Sequence, residues 1–184
     1  MRKVLTLVLV AAASLVAASC DQGAPAKGPP VPGAAFKHAT TSDLSGYYMP
    51  LSEVRIGDWA LDHLFLGQAS DFTAWEAGRR SETFAPVMLQ FDNLASPMVQ
   101  TEIGEARSVT SRVLPSFYSV SDARVQFEGR SPELGRVSFD GRMDAGALAT
   151  ARRNLGDEGA VVVGDLIVGG RTVRGVRLRW WAGD

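Results

Sequence analysis

Residues 36–184 predict one mainly β domain, an antiparallel sheet curled into a barrel or sandwich of about eight strands with two short helices. Three observations point there. Apolar and polar residues alternate with the period of two that half-buried strands show. Turn signals such as Gly57-Asp58 and Gly169-Gly170 separate the alternating runs. The 149 residues are enough to bury one core and too few for two.

The elements follow in chain order. Residues 52–56 place Val54 and Ile56 on one face, with Glu53 and Arg55 on the other. Residues 59–66 continue as a strand, with Trp59, Leu61 and Phe65 on one side and Leu64 and Leu66 on the other. Residues 86–92 turn Val87, Leu89 and Phe91 inward, and residues 107–114 turn Val109 and Val113 inward. The alternation of Val125 and Phe127, then Val137 and Phe139, across a turn at 129–135 predicts a hairpin. Residues 160–168 and 172–181 predict a second, joined by Gly169-Gly170. Two glycines suit a type I′ turn, whose central positions both need positive φ. In the last strand Val176, Leu178 and Trp180 share one face, and Arg177, Arg179 and Trp181 the other. Val173 has the wrong parity for the first face, which predicts a bulge at Gly175.

Two helices interrupt the strands. Residues 71–80 carry a capping-box pattern from Thr73 to Glu76, with Phe72 and Trp75 to pack the helix on the sheet. Residues 144–155 have Asp144 as N-cap, Arg152 and Arg153 in the last turn, and Gly156 as a left-handed stop.

The first 19 residues read as an export signal. Arg2 and Lys3 form a positive start, residues 4–18 an apolar stretch, and Ala17-Ala18-Ser19 a small-residue site before Cys20. Ala17-Ala18-Ser19-Cys20 resembles the lipobox of bacterial lipoproteins. That resemblance implies a diacylglycerol on the sulfur of Cys20 and cleavage just before it, so that Cys20 anchors the chain to a membrane of the bacterial cell envelope. Cys20 is the only cysteine, so no internal disulfide competes for it. Asp21 resembles the retention signal that holds such proteins in the inner membrane of enteric bacteria; the choice of membrane stays open.

Residues 20–35 then read as the lipidated cysteine and a tether. Eleven of the 15 residues after Cys20 are Gly, Pro or Ala, and none is aromatic. Such a segment has too little apolar surface to order itself alone. Pro29-Pro30 and Pro32 favour polyproline II, at about 3.1 Å per residue.

Charge excludes one class. Removal of Arg2 and Lys3 leaves 17 basic against 20 acidic residues, a net of −3. A nucleic-acid binder carries a basic excess instead. The chain therefore predicts no nucleic-acid partner.

Chemistry-bearing motifs are sparse. No zinc spacing, HExxH, GxSxG or P-loop is present, so no metal, cofactor or catalytic residue is expected and the chain does not read as an enzyme. Asp62 and His63 adjoin in a strand, where neighbours point to opposite faces. Asp92-Asn93 and Asp157-Glu158 read as turn acids. The last strand is crowded with arginines, and Arg174, Arg177 and Arg179 beside Trp181 form a candidate patch for an anion or a lipid headgroup. The alternative is a solvated face whose arginines pair with acids on neighbouring strands.

Residues 163–178, VGDLIVGGRTVRGVRL, are similar to the final hairpin of the YceI-like family, periplasmic lipocalin-like barrels that bind polyisoprenoid lipids. The similarity implies a barrel but carries no ligand residue across. Two functions are therefore expected to compete: a non-enzymatic binding or assembly module with an envelope protein partner, or a carrier of a lipid or other apolar small molecule in a barrel cavity.

Overall fold

The computed structural model describes residues 35–102 and 104–183. The expected signal, Cys20 and nearly all of the expected tether lie outside these residues. The strands are β1 (Phe36–Ala39), β2 (Gly46–Pro50), β3 (Arg55–Ile56), β4 (Trp59–Leu66), β5 (Val87–Asn93), β6 (Met98–Thr101), β7 (Gly104–Arg107), β8 (Thr110–Val113), β9 (Pro115–Ser121), β10 (Arg124–Ser131), β11 (Gly135–Met143), β12 (Val162–Val168) and β13 (Arg171–Trp181). Helix α1 (Ala69–Glu76) follows β4, and α2 (Ala145–Arg153) follows β11.

The expected fold class holds. β9 to β13 pair antiparallel in chain order, β13 pairs with β2, and β2, β4, β5 and β8 follow. β8 passes straight into β9 through Leu114, so the path returns to where it began and the sheet curls around its own core. β1 adds a parallel edge to β9, and β6–β7 is a separate exposed hairpin.

The two ends of the sheet path, β8 and β1, do not pair with each other, and two devices help close the gap. At one end the Ser111 and Ser131 hydroxyls lie 2.9 Å apart, and both reach Glu133. At the other, α1 lays Phe72 and Trp75 against the aromatic pair Phe36 and Tyr118, and the Tyr118 hydroxyl donates to Glu76 at 3.1 Å.

The interior is filled by side chains. Tyr48, Leu64, Leu66, Leu89, Phe91, Val113, Tyr118, Phe127 and Leu178 are fully buried, along with their neighbours in one cluster. Each such large apolar side chain contributes about 1.5–3 kcal/mol by leaving water. Gly141 and Gly164 are register partners on adjacent strands, and a Cβ on Gly164 would strike the Asp140 carbonyl and the Gly141 Cα. Side-chain-free positions here let β11 and β12 bend closely together at a corner.

Several local expectations hold. Gly169 and Gly170 both have positive φ, at 55° and 84°, as a type I′ turn needs. The register of β12 and β13 slips between Gly164 and Leu166, opposite Gly175, and places Val173 against Leu166. Asp144 caps α2 by accepting from the Ala147 N–H.

Others are corrected. Val109 is 46% exposed because β8 begins one residue later; Ser111 and Val113 are the inward pair. Helix α1 begins at Ala69, two residues before the expected start, and its capping box joins Gln68 to Asp71 rather than Thr73 to Glu76. Thr73 instead hydrogen-bonds the Ala69 carbonyl inside the helix. Helix α2 ends on an extended Asn154, and Gly156 is not left-handed. In β4 the inward residues are Leu61, Leu64 and Leu66, and Phe65 points outward, for a reason that also shapes the site below.

Candidate binding face

The bulge in β4 is the origin of the face. Leu61 pairs with Phe91 and His63 with Gln90, which leaves Asp62 unpaired. Two residues opposite one reset the alternation of the strand. Asp62 and His63 therefore emerge on the same outer side, against the sequence expectation, and the His63 Nδ1 lies 2.8 Å from the Asp62 carboxylate. Gln90 donates to that carboxylate at 3.1 Å, and Arg112 donates to the Gln90 carbonyl at 3.1 Å. Asp92 joins this edge: burial pushes its carboxyl up, and the charge of Asp62 adds to the effect. Asp62 orients the imidazole, and among the described residues no Ser, Cys or Thr is hydrogen-bonded to it.

The same reset turns Phe65 outward, where register places it beside Tyr47 of β2, which in turn faces Trp181 of β13. The ring centroids lie 5.5 Å apart for Trp181 and Tyr47, 5.2 Å for Tyr47 and Phe65, and 5.7 Å for Phe65 and Phe84. His63 meets the edge of Tyr47 at 4.9 Å. Phe84 comes from the loop after α1 and is 40% exposed. Four aromatics from four separate segments thus form one continuous row on the outside of the sheet.

A polar clamp holds the upper end of the row. Arg152 of α2 donates to Asp43 at 2.9 Å and to the Ser45 carbonyl at 3.0 Å, and its guanidinium lies 5.0 Å from the Trp180 ring. The Trp180 indole donates to the same Ser45 carbonyl. Burial pushes the Asp43 carboxyl up, but hydrogen bonds from Arg152 and the Ser45 backbone outweigh it and hold it at about 2. Below the clamp opens a cleft of about 580 Å³, lined by Tyr47, Phe65, Phe84 and Trp180 among others. A second cleft, about 340 Å³, shares Phe84 and Asp71 with the first and runs along α1 past Trp75 to Arg79 and Arg80. The buried Trp75 indole N–H in its wall has no acceptor among the described residues.

The arginines singled out from sequence fall beside this row. Arg177 and Arg179 point outward with Trp181, as parity requires, while Arg174 sits in the bulge and is exposed. Among the described residues the side chains of the three have no ion-pair or hydrogen-bond partner. The register neighbour of Arg177 is Val163 and that of Arg179 is Met49, so no carboxylate stands opposite either. Of the other acids, Asp92 lies within β5, while Asp157 accepts from the Gly159 N–H in a turn. No group of three metal-ligating side chains occurs among the described residues, and no helix among them is long and apolar enough to cross a membrane.

Sequence reasoning missed Phe65 and Phe84 as parts of a face. The signal for Phe65 was the adjoining polar pair Asp62-His63 inside an apolar strand, which marks a bulge. Phe84 lies in a loop with no periodic pattern to read. No protein-family model, curated protein or solved structure matches this chain.

Proposed function

We propose that the chain is a lipid-anchored module of the bacterial cell envelope that performs no catalysis and binds an envelope protein through the outer face of β13, β2 and β4. The aromatic row carries this reading. Trp181, Tyr47, Phe65 and Phe84 lie on the water side of a sheet whose inner side already has a complete core. Aromatic side chains flanked by unpaired arginines are the composition of interface hot spots. Arg177 and Arg179 beside the row favour a partner with an acidic rim, since neither meets a carboxylate within the domain. The filled interior lends no support to a ligand carried inside the sheet. The lipid on Cys20 holds the module where such partners are: each buried methylene is worth about 0.8 kcal/mol, and two or more acyl chains give stable anchoring.

Two measurements test this. Cys20→Ala moves the protein out of the membrane fraction; retention there refutes the anchor. A photoreactive benzophenone side chain at Tyr47 crosslinks a partner in intact cells, and the same group at Gln126, on the opposite outer face, does not. Equal yields, or none at Tyr47, refute the binding face.

A further inference from the structure

We infer that the outer face of β11, β12 and β13 is a phospholipid-headgroup site, which takes the phosphate on Arg142 and Arg174 and a headgroup hydroxyl on Asp165. The site lies across β13 from the aromatic row. It rests on the proposed lipid anchor only for having a leaflet within reach.

Register builds the face. Arg142 of β11 pairs with Val163 of β12, and Val163 pairs with Arg177 of β13. All three are exposed, while their chain neighbours Met143, Val162 and Leu178 are buried. Adjacent strands lie about 4.8 Å apart, so the backbones of the two arginines stand about 10 Å apart with a valine between them. The bulge in β13 adds a third arginine. Val173 and Val176 both pack toward the core, so the two residues between them, Arg174 and Gly175, turn outward opposite the single residue Asp165. The Gly175 N–H donates to the Asp165 carboxylate at 2.9 Å and fixes it there.

These charges are unmatched within the domain, unlike those of the next strands. Arg124 donates to Asp140 at 2.7 Å and Arg136 to Glu128 at 2.7 Å. Among the described residues the side chains of Arg142, Arg174 and Arg177 have no ion-pair or hydrogen-bond partner. Asp165 receives the Gly175 N–H on one oxygen, and its other oxygen has no donor among the described residues. Three guanidiniums therefore surround one half-used carboxylate. A cleft of about 590 Å³ opens here, lined by Arg142, Val163, Asp165 and Gly175, with the paired Arg124 and Asp140 in its far wall. A Cβ on Gly175 would meet nothing within 4 Å, so the space beside Asp165 is open.

The mixture of charges selects the ligand. A guanidinium presents a planar fork of N–H groups that matches two phosphate oxygens. Carboxylates fit the same fork, so arginines alone do not separate a phosphate from an acidic protein. Asp165 does: its open oxygen repels a second carboxylate and accepts from a hydroxyl. A phosphoglycerol headgroup carries both partners, a phosphate for the arginines and a hydroxyl a few bonds away for the acid. Val163 and Ile167 are 43% and 40% exposed on this same side of β12. They supply apolar contact to the glycerol carbons below the headgroups, as interfacial surfaces do. Basic side chains at such a surface draw the domain onto an anionic leaflet.

The test uses the purified chain from residue 20 onward with Cys20→Ala, so that no acyl chain is attached. Vesicles of phosphatidylcholine and phosphatidylglycerol in equal parts are expected to bind it, and phosphatidylcholine alone is not. Arg142→Glu with Arg174→Glu weakens that binding at least about tenfold. Lys37→Glu with Arg55→Glu, an equal change of net charge on β1 and β3, leaves it within about twofold. Replacing phosphatidylglycerol by phosphatidylmethanol, of equal charge but with no free hydroxyl, weakens binding about fivefold, and Asp165→Ala erases that preference. If the charge reversals lower the urea midpoint, Arg142→Gln with Arg174→Gln takes their place with the same expectation. Four results overturn the site: no binding to phosphatidylglycerol vesicles, equal losses from the two charge-reversed pairs, a hydroxyl preference that is absent or survives Asp165→Ala, or displacement of the vesicles by glycerol phosphate at matched phosphate concentration. The Tyr47 crosslink in cells reads the aromatic row without these vesicles, so either reading can fall alone.

Discussion

The outer face of β10 and β11 and the outer face of β2 and β4 occupy equivalent places on one curled sheet, and their chemistry differs. On β10 and β11, Arg124 pairs with Asp140 at 2.5 Å and Arg136 with Glu128 at 2.7 Å, and Gln126 also donates to Asp140. This is a solvated polar surface on which two arginines meet carboxylates of the neighbouring strand. On β2 and β4 the same outward positions hold Tyr47 and Phe65, with Trp181 and Phe84 alongside. Both faces back onto the same core, through Phe127 and Phe139 on one side and Tyr48 and Leu64 on the other. The core is therefore equally well served by either kind of exterior. Folding alone does not call for a row of rings in water, and the proposed binding face is what would use the excess.

The largest expected effect tests the shared core. Phe127→Ala and Leu64→Ala each lower the free energy of unfolding by about 3 kcal/mol or more, measured by urea denaturation. A loss below about 1 kcal/mol at Leu64 would mean that the two halves do not rest on one core, and the comparison would collapse. Next comes the corner where β11 meets β12. Gly164→Val forces a side chain against the Asp140 carbonyl and the Gly141 Cα, for a loss of about 1–3 kcal/mol in the same measurement. A neutral result would show that this corner has room to spare.

The outer rows should separate stability from binding. Tyr47→Ser with Trp181→Ser changes stability by about 1 kcal/mol or less, while a crosslink in cells from a benzophenone side chain placed at Phe84 disappears. A loss as large as that of Phe127→Ala would make the row a structural second core. The smallest effect sharpens the role of the clamp. The Asp43 carboxyl sits at about 2 in the folded chain, below its usual value of about 3.9. A depressed folded value stabilises above the unfolded one, and that contribution is lost as pH falls from about 4 to about 2. Asp43→Asn therefore costs below about 1 kcal/mol at pH 7, because the side chain is largely exposed, and the gap from the parent chain closes on acidification through that window.

Much of the fold is legible in the sequence because period-two alternation and glycine turns act locally. Val125, Phe127, Val137 and Phe139 pair in the expected hairpin, and the β12–β13 turn and its bulge fall at Gly169-Gly170 and Gly175. Alternation fails where the chain slips register. A single unpaired residue, Asp62, moved Phe65 to the outer face and His63 to the side of Asp62. The ring of pairings is also beyond local reading, since β13 meets β2 across more than a hundred intervening positions. Of the site, Trp181 and the outward arginines are legible from parity, whereas their lack of carboxylate neighbours depends on which strands sit alongside.

That pairing of the last strand with one of the first has a temporal meaning. Trp181 stands beside Tyr47 only once the final strand has paired with β2. Such distant pairings are slow to form. A molecule that grips both rings at once would thus distinguish finished copies from unfinished ones, and would pass over any chain stalled, nicked or trapped short of its native state.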